Sequence, residues 1–247
     1  YKRLADPPLF CEGAAKAHFS WHFLSGGNAF DVFAPEIFKE KIAEFPAEEA
    51  PRMREDFTRL NFGWWAFWDK RTQADMYEYG TSRAAAWDCP VTIQTNIPAF
   101  RSHPRTGDIL EVMRRWEDVR AKSWLTDEHK EMLRDLATEH TLLVNEEGEY
   151  ELVPYHQIET GCRLRAFVFS RHGESWAVYW HTEGSGSLIL PCTDALFEVR
   201  DELYQSPVAP VVEKEHFVLP LSNRRYIRTN RPMETLITML QKGEIRE

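Results

Sequence analysis

The chain has 247 residues, 43% of them hydrophobic and 28% charged, and a formal net charge of −9. That length buries a core in one large domain or two modest ones. The acidity excludes a phosphate-backbone partner, which needs a basic face, so no nucleic acid is expected. No run approaches the roughly 20 apolar residues of a membrane helix, so no membrane partner is expected.

Nine Trp, eight Tyr and fifteen Phe make the chain 13% aromatic. Core packing accounts for most of them; the sharper reading is that some stack on the apolar face of a sugar ring. The four cysteines Cys11, Cys89, Cys162 and Cys192 form no C-x-x-C pair, so neither a metal nor a cofactor is predicted. The sequence opens Tyr-Lys-Arg, without an initiator Met or a signal peptide. It reads as a soluble piece of a longer protein, its compartment (cytoplasm, periplasm or outside) left open.

Leu9-Phe10-Cys11 reads as a strand that presents Glu12 at its carboxyl end. Residues 14–31 form a long loop carrying His18, Trp21, His22 and Gly26-Gly27-Asn28; loops of that length are functional or disordered. Helices are predicted over 35–45 and 47–60, with Ile37, Phe38, Ile42 and Phe45 on one stripe. The stretch Asn61–Asn96 organises the rest. A strand over 62–68 runs into Asp69 and Lys70, a helix over 72–88 follows, and a strand over 91–95 closes a βαβ unit. Residues 97–105 read as a loop. Helices follow over 106–122 and 127–138, the second capped by Thr126.

From Thr141 the period changes to short alternating strands with glycine and proline turns. They fall over 141–145, 150–154, 163–170, 175–181, 187–191, 197–203, 208–214, 216–221 and 224–229. Such a pattern indicates an antiparallel sandwich. A last helix covers 232–241. The fold class is therefore α/β followed by all-β, with domains over 1–139 and 140–247. In parallel sheets chemistry sits beyond the carboxyl ends of the strands, which points to Asp69 and Lys70.

The phrases L-F-C-E-G, N-F-G-W-W-A-F-W-D, T-S-R-A-A-A-W-D-C-P and W-E-D-V-R resemble the closing half of a glycoside hydrolase (β/α)8 barrel. The tail, with V-Y-W-H, L-I-L-P and V-L-P-L-S-N-R-R-Y-I, is similar to the β-sandwich that follows such barrels. The resemblance implies a partial (β/α)8 barrel, its last three strand–helix units, plus an antiparallel β-sandwich. It also implies hydrolysis of O-glycosidic bonds in a carbohydrate substrate. The first five strands are absent, so the chain is expected to pair with another copy or to lack an N-terminal half that carries the second carboxylate.

Glycoside hydrolysis needs two carboxyl groups flanking the bond. Glu12 is the first catalytic candidate, as an acid/base; its alternative is a structural ion pair at a barrel rim. Asp69 is the second, catalytic, binding sugar hydroxyls or pairing with Lys70. His18 and His22, spaced i,i+4, are expected to hydrogen-bond a sugar or Glu12, or to serve local structure alone; a metal there lacks a third ligand and the H-E-x-x-H acid. Trp21 and Trp68 stack on sugar, and Lys70 and Asn96 complete the substrate-binding set. Trp64 and Trp65 alternate faces and pack. Asp88 reads as structural, and Glu78 and Glu117 as solvated or ion-paired. No phosphate loop, G-x-S-x-G elbow or Cys–His motif occurs. Two further readings stay open: a non-catalytic carbohydrate-binding or interaction fragment, and an α/β enzyme of another class with an open sheet.

Overall fold

The computed structural model describes residues 12–13, 26–28, 31–44, 59–161, 163–191 and 197–247. The chain divides into two compact units, Tyr1–Phe100 with Met113–Leu136, and Arg101–Val112 with Ala137–Glu247.

The first unit mixes short strands with helices. Its strands are β1 (Glu12–Gly13), β2 (Gly26–Asn28), β3 (Asp31–Val32), β4 (Arg59–Asn61), β5 (Trp64–Trp65) and β6 (Thr92–Ile93). They form two three-stranded sheets, β1-β2-β4 and β3-β5-β6, with every neighbour parallel. A 3-10 turn at Pro35–Ile37 opens α1, described over residues 38–44. Helix α2 (Ala74–Ala86) joins β5 to its neighbour β6, a parallel βαβ unit. Then come α3 (Ile97–Ser102), α4 (Thr106–Ala121) and α5 (Asp127–Arg134). The units divide α4 after Val112.

Alternation sets the two sides of the β3-β5-β6 sheet. Val32 and Trp65 point to one side and are buried, at 1% and 0% exposure. On that side Phe38 and Tyr77 pack on the indole and Phe67 packs on both of them, with the Phe38 and Trp65 ring centroids 4.8 Å apart and edge-to-face. Burying rings of this size supplies most of the local driving force.

Helix α2 is buried along its whole length, which forces its charged residues to find partners. Asp75 pairs with Lys39 at 3.3 Å. Glu78, far from solvated, accepts from Trp116 Nε1 at 2.6 Å. The ends of α2 and α5 are tied reciprocally. Arg83 of α2 donates to the Asp135 carbonyl at 3.3 Å, and Arg134 of α5 donates to the Ala86 carbonyl at 2.8 Å. Each guanidinium also lies over a ring, Arg83 over Tyr79 and Arg134 over Trp87. Thr126 caps α5, its hydroxyl accepting from His129 N at 3.2 Å.

Several boundaries differ from the sequence reading. The run 62–68 holds only the two ladder residues of β5, and just before them Gly63 N donates to Asn61 Oδ1 at 3.4 Å. The stretch 14–31 contains β2 and the first residue of β3. Residues 97–105 contain α3, started by Asn96, whose Oδ1 accepts from Ala99 N at 3.0 Å. The helix expected over 47–60 ends in β4, and residues 47–58 lie outside the described residues.

The second unit holds two antiparallel sheets. One orders β12 (Phe197–Arg200), β15 (Arg225–Thr229), β10 (Glu174–His181), β9 (Leu164–Arg171), β8 (Tyr150–Ile158) and β7 (Glu139–Val144). The other orders β13 (Val211–Glu213), β14 (His216–Leu221), β11 (Gly186–Pro191) and β16 (Glu244–Arg246). Leu188, Leu190 and Leu219 of the second sheet share one buried cluster with Ala166, Ala177 and Ile227 of the first. Helix α6 (Met233–Gln241) adds Leu236 and Leu240 to it. The β9–β10 hairpin turns on His172 and Gly173, at φ 52° and 79°, the left-handed pair that a two-residue hairpin needs.

Two polar clusters complete this unit. Arg171 donates to Glu151 at 2.7 Å and to Glu146 at 3.1 Å, while Arg228 binds Glu174 and, at 3.1 Å, Glu198. The Arg171 hydrogen bond holds Glu151 below the usual carboxylate range, and Arg228 does the same for Glu174. At the β10–β11 turn, buried His181 accepts at Nδ1 from Glu183 N at 3.0 Å and Gly184 N at 2.7 Å. Burial, then the charges of Arg163 and Arg105, push its pKa below 6.5.

Candidate functional site

The candidate site is the carboxyl end of the β3-β5-β6 sheet. Its parallel register pairs Asp31 with Trp64 and Trp64 with Thr92. Ala66 N donates to Val32 O at 2.9 Å and Gln94 N to Trp65 O at 3.0 Å, which closes the last pairs of the ladder, Val32 with Trp65 and Trp65 with Ile93. The row Asp31, Trp64 and Thr92 lies on the face opposite Val32 and Trp65. Trp64 is 36% exposed there, which corrects the expectation that it packs.

Beyond β5 the chain turns at Asp69. The Asp69 Oδ1 accepts from Arg71 N at 2.8 Å, its Oδ2 accepts from Arg71 Nη2 at 2.6 Å, and Arg71 Nε reaches both oxygens at 3.2 Å. Arg71 also donates to Glu36 at 3.1 Å. The hydrogen bond and charge of Asp69 raise the pKa of Arg71. The sequence reading missed Arg71 and set Asp69 beside Lys70. An Asp can accept from the backbone N–H two residues on, an Asx turn, so the spacing permits this contact without dictating it.

Trp68, Asp69 and Lys70 follow β5, and Asn96 follows the adjacent β6, so the sheet brings these four to neighbouring strand ends. Trp68 packs edge-on against Tyr77 and Phe100, with centroids 5.7 and 4.5 Å away. Lys70 is exposed, and its carbonyl accepts from Gln73 Nε2 at 3.2 Å. The Asn96 amide oxygen is engaged in starting α3. Glu12 lies in β1 of the other parallel sheet, paired with Gly26; its side chain, with His18, Trp21 and His22, lies outside the described residues. Among the described residues no group of three His, Cys, Asp or Glu could hold a metal ion. Nor is any described helix long and apolar enough to cross a membrane.

No protein-family model matches the chain, and no curated protein matches it. Among solved structures the chain is similar to an Anoxybacillus α-amylase, at 10% identity over 85% of this chain and 53% of that one, with a TM-score of 0.28. It is similar to a family 39 glycoside hydrolase from Bacteroides cellulosilyticus, at 11% identity over 85% and 45%, with a TM-score of 0.31. It is also similar to an α-amylase from H. orenii, at 7% identity over 91% and 54%, with a TM-score of 0.29. The chain spans about half the length of these structures.

Proposed function

We propose that this chain is the closing portion of a (β/α)8 glycoside hydrolase, its last three strand–helix units, followed by an antiparallel β-sandwich. It cleaves O-glycosidic bonds in a carbohydrate by carboxyl acid/base chemistry. The observation that carries this reading is the parallel β3-β5-β6 ladder, with α2 crossing between β5 and β6. One face is buried on aromatic side chains and the other bears Asp31, Trp64 and Thr92. In barrels of this kind chemistry gathers beyond the carboxyl ends of the strands. Glu12 is the acid/base and Asp69 the second carboxylate, with His18, Trp21, His22, Trp68, Lys70 and Asn96 holding the sugar. The remaining barrel strands come from another segment or another copy.

One observation favours a second reading, a non-catalytic carbohydrate-binding fragment. Asp69 is tied to Arg71 through three nitrogen atoms, and a carboxylate so engaged is a poor nucleophile. Turnover of aryl glycosides separates the two. Glu12→Gln is expected to lower turnover at least about a hundredfold. Unchanged turnover removes Glu12 from the chemistry; sugar binding without any turnover favours the fragment.

A further inference from the structure

We propose that the β10–β11 turn is an acid-opened latch, held shut by the neutral imidazole of His181 and released when that ring takes up a proton. His181 ends β10 and is 2% exposed. Its Nδ1 accepts from two backbone N–H groups of the turn, Glu183 N at 3.0 Å and Gly184 N at 2.7 Å. The proton of the neutral ring therefore sits on Nε2. That nitrogen is buried and has no hydrogen-bond partner among the described residues.

Protonation puts a third N–H where the two backbone donors already point. The imidazolium then carries two N–H groups and has an acceptor for neither. The charged groups around it add to the cost. Arg163, just before β9, and Arg105, just before α4, repel a second cation, while Glu183 of the turn itself attracts one. Burial disfavours the charged ring further. Moving the turn and the ring into water gives every one of these donors a partner.

Gly184 carries the second catch. Arg105 is 4% exposed and donates from Nη2 to the Gly184 carbonyl at 3.1 Å. Its Nη1 lies 3.8 Å from Asp108 Oδ2, which also accepts from Arg224 N at 3.0 Å. One glycine thus joins the imidazole to the guanidinium, and Asp108 joins the guanidinium to the turn before β15. All of these groups belong to the second unit. Opening at Gly184 takes an acceptor from a buried arginine, so the start of α4 and the β14–β15 turn loosen with it. The β9–β10 ladder, paired from Glu174 to His181, contains none of the broken contacts.

The test follows amide exchange of the whole chain at about pH 7.5 and about pH 5.5 by mass spectrometry, corrected for the intrinsic effect of pH. Opening linked to one proton, with the released ring titrating at about 6.5, multiplies the open population up to about tenfold over this interval. Protection over 182–185 should fall by about that factor and should drop over 103–108 and 222–224, with 164–171 unchanged. His181→Asn presents Oδ1 where Nδ1 accepts and does not titrate, so it should keep the turn protected at both pH values. Because a buried substitution can prevent folding, the parent is also titrated by NMR. There the Gly184 amide and the His181 ring nitrogens should change with one midpoint. The latch is overturned if protection of the turn does not change, or if Gly184 stays protected after His181 has protonated. Equal loss of protection in His181→Asn and the parent also overturns it. So does simultaneous loss in every peptide, which is global unfolding.

Discussion

Gly80 tests the packing of the first unit most directly. A Cβ built there meets Phe38 Cζ at 2.7 Å and Trp65 Cη2 at 2.8 Å. Both rings are fully buried and locked edge-to-face, so neither withdraws into solvent. Replacing glycine by alanine inside a helix gains about 1 kcal/mol of propensity. Overpacking a filled core costs about 1–3 kcal/mol. With two rigid rings to displace, the overpacking cost falls in the upper part of that range, about 2–3 kcal/mol, and Gly80→Ala is expected to destabilise by about 1–2 kcal/mol net. Gly107 is the control: it lies in the first turn of α4, exposed, with no atom within 4 Å of a new Cβ. Gly107→Ala is expected to stabilise by about 0.5 kcal/mol. Urea titration followed by circular dichroism reads both as opposite shifts of the midpoint at constant slope. If the two variants shift the midpoint in the same direction, the close approach of α2 to Phe38 and Trp65 is wrong.

Trp116→Phe keeps an aromatic side chain but trims the buried indole and removes the N–H that Glu78 accepts from, and should cost at least about 1–3 kcal/mol in the same assay; an unchanged midpoint makes that hydrogen bond energetically idle. Glu151 and Glu174 sit below their ordinary value of 4.5 when folded. Their contribution is complete above that value and is lost as pH falls through the depressed ones. Melting curves of the parent and of Arg171→Met should therefore diverge above about pH 4.5 and converge in acid, whereas parallel curves across pH remove Arg171 as the cause. His181 folds neutral with its pKa lowered from 6.5. Its contribution is complete above 6.5 and lost as pH falls through the folded value. His181→Asn, which can present Oδ1 where Nδ1 accepts, should flatten that part of the profile. Retention of the parent's slope between neutral and mildly acid pH assigns the dependence to another group.

Legibility followed element length. The strands of the second unit run to nine residues, long enough for glycine and proline turns to mark their order along the chain. The parallel strands of the first unit have two or three residues. No period survives over so few positions, and 14–31 looked like one loop. Helix α3 was hidden by Pro98 and by Pro104 just beyond its end, although Asn96 followed by Pro98 at the second helical position is a start signal. Glu78 reads as solvated or ion-paired because a glutamate inside a helix is ordinarily exposed, whereas α2 is covered on all sides. At the candidate site, Asp69 and its place after a strand were legible. Its grip by Arg71 depends on a turn geometry that composition does not encode. Trp64 and Trp65 were separable by alternation, but which one faced outward depended on where Phe38 and Tyr77 lay.

The crossed arginines at the ends of α2 and α5 couple the opening of those two helices. Fraying either last turn takes a donor away from a carbonyl at the end of its neighbour, so opening one end loosens the other. Amide protons at both termini should exchange at one common rate, and substituting Arg83 should accelerate exchange near Arg134 as strongly as near itself. A protease that samples open segments would then meet this pair as one closed knot, rather than as two independently yielding ends.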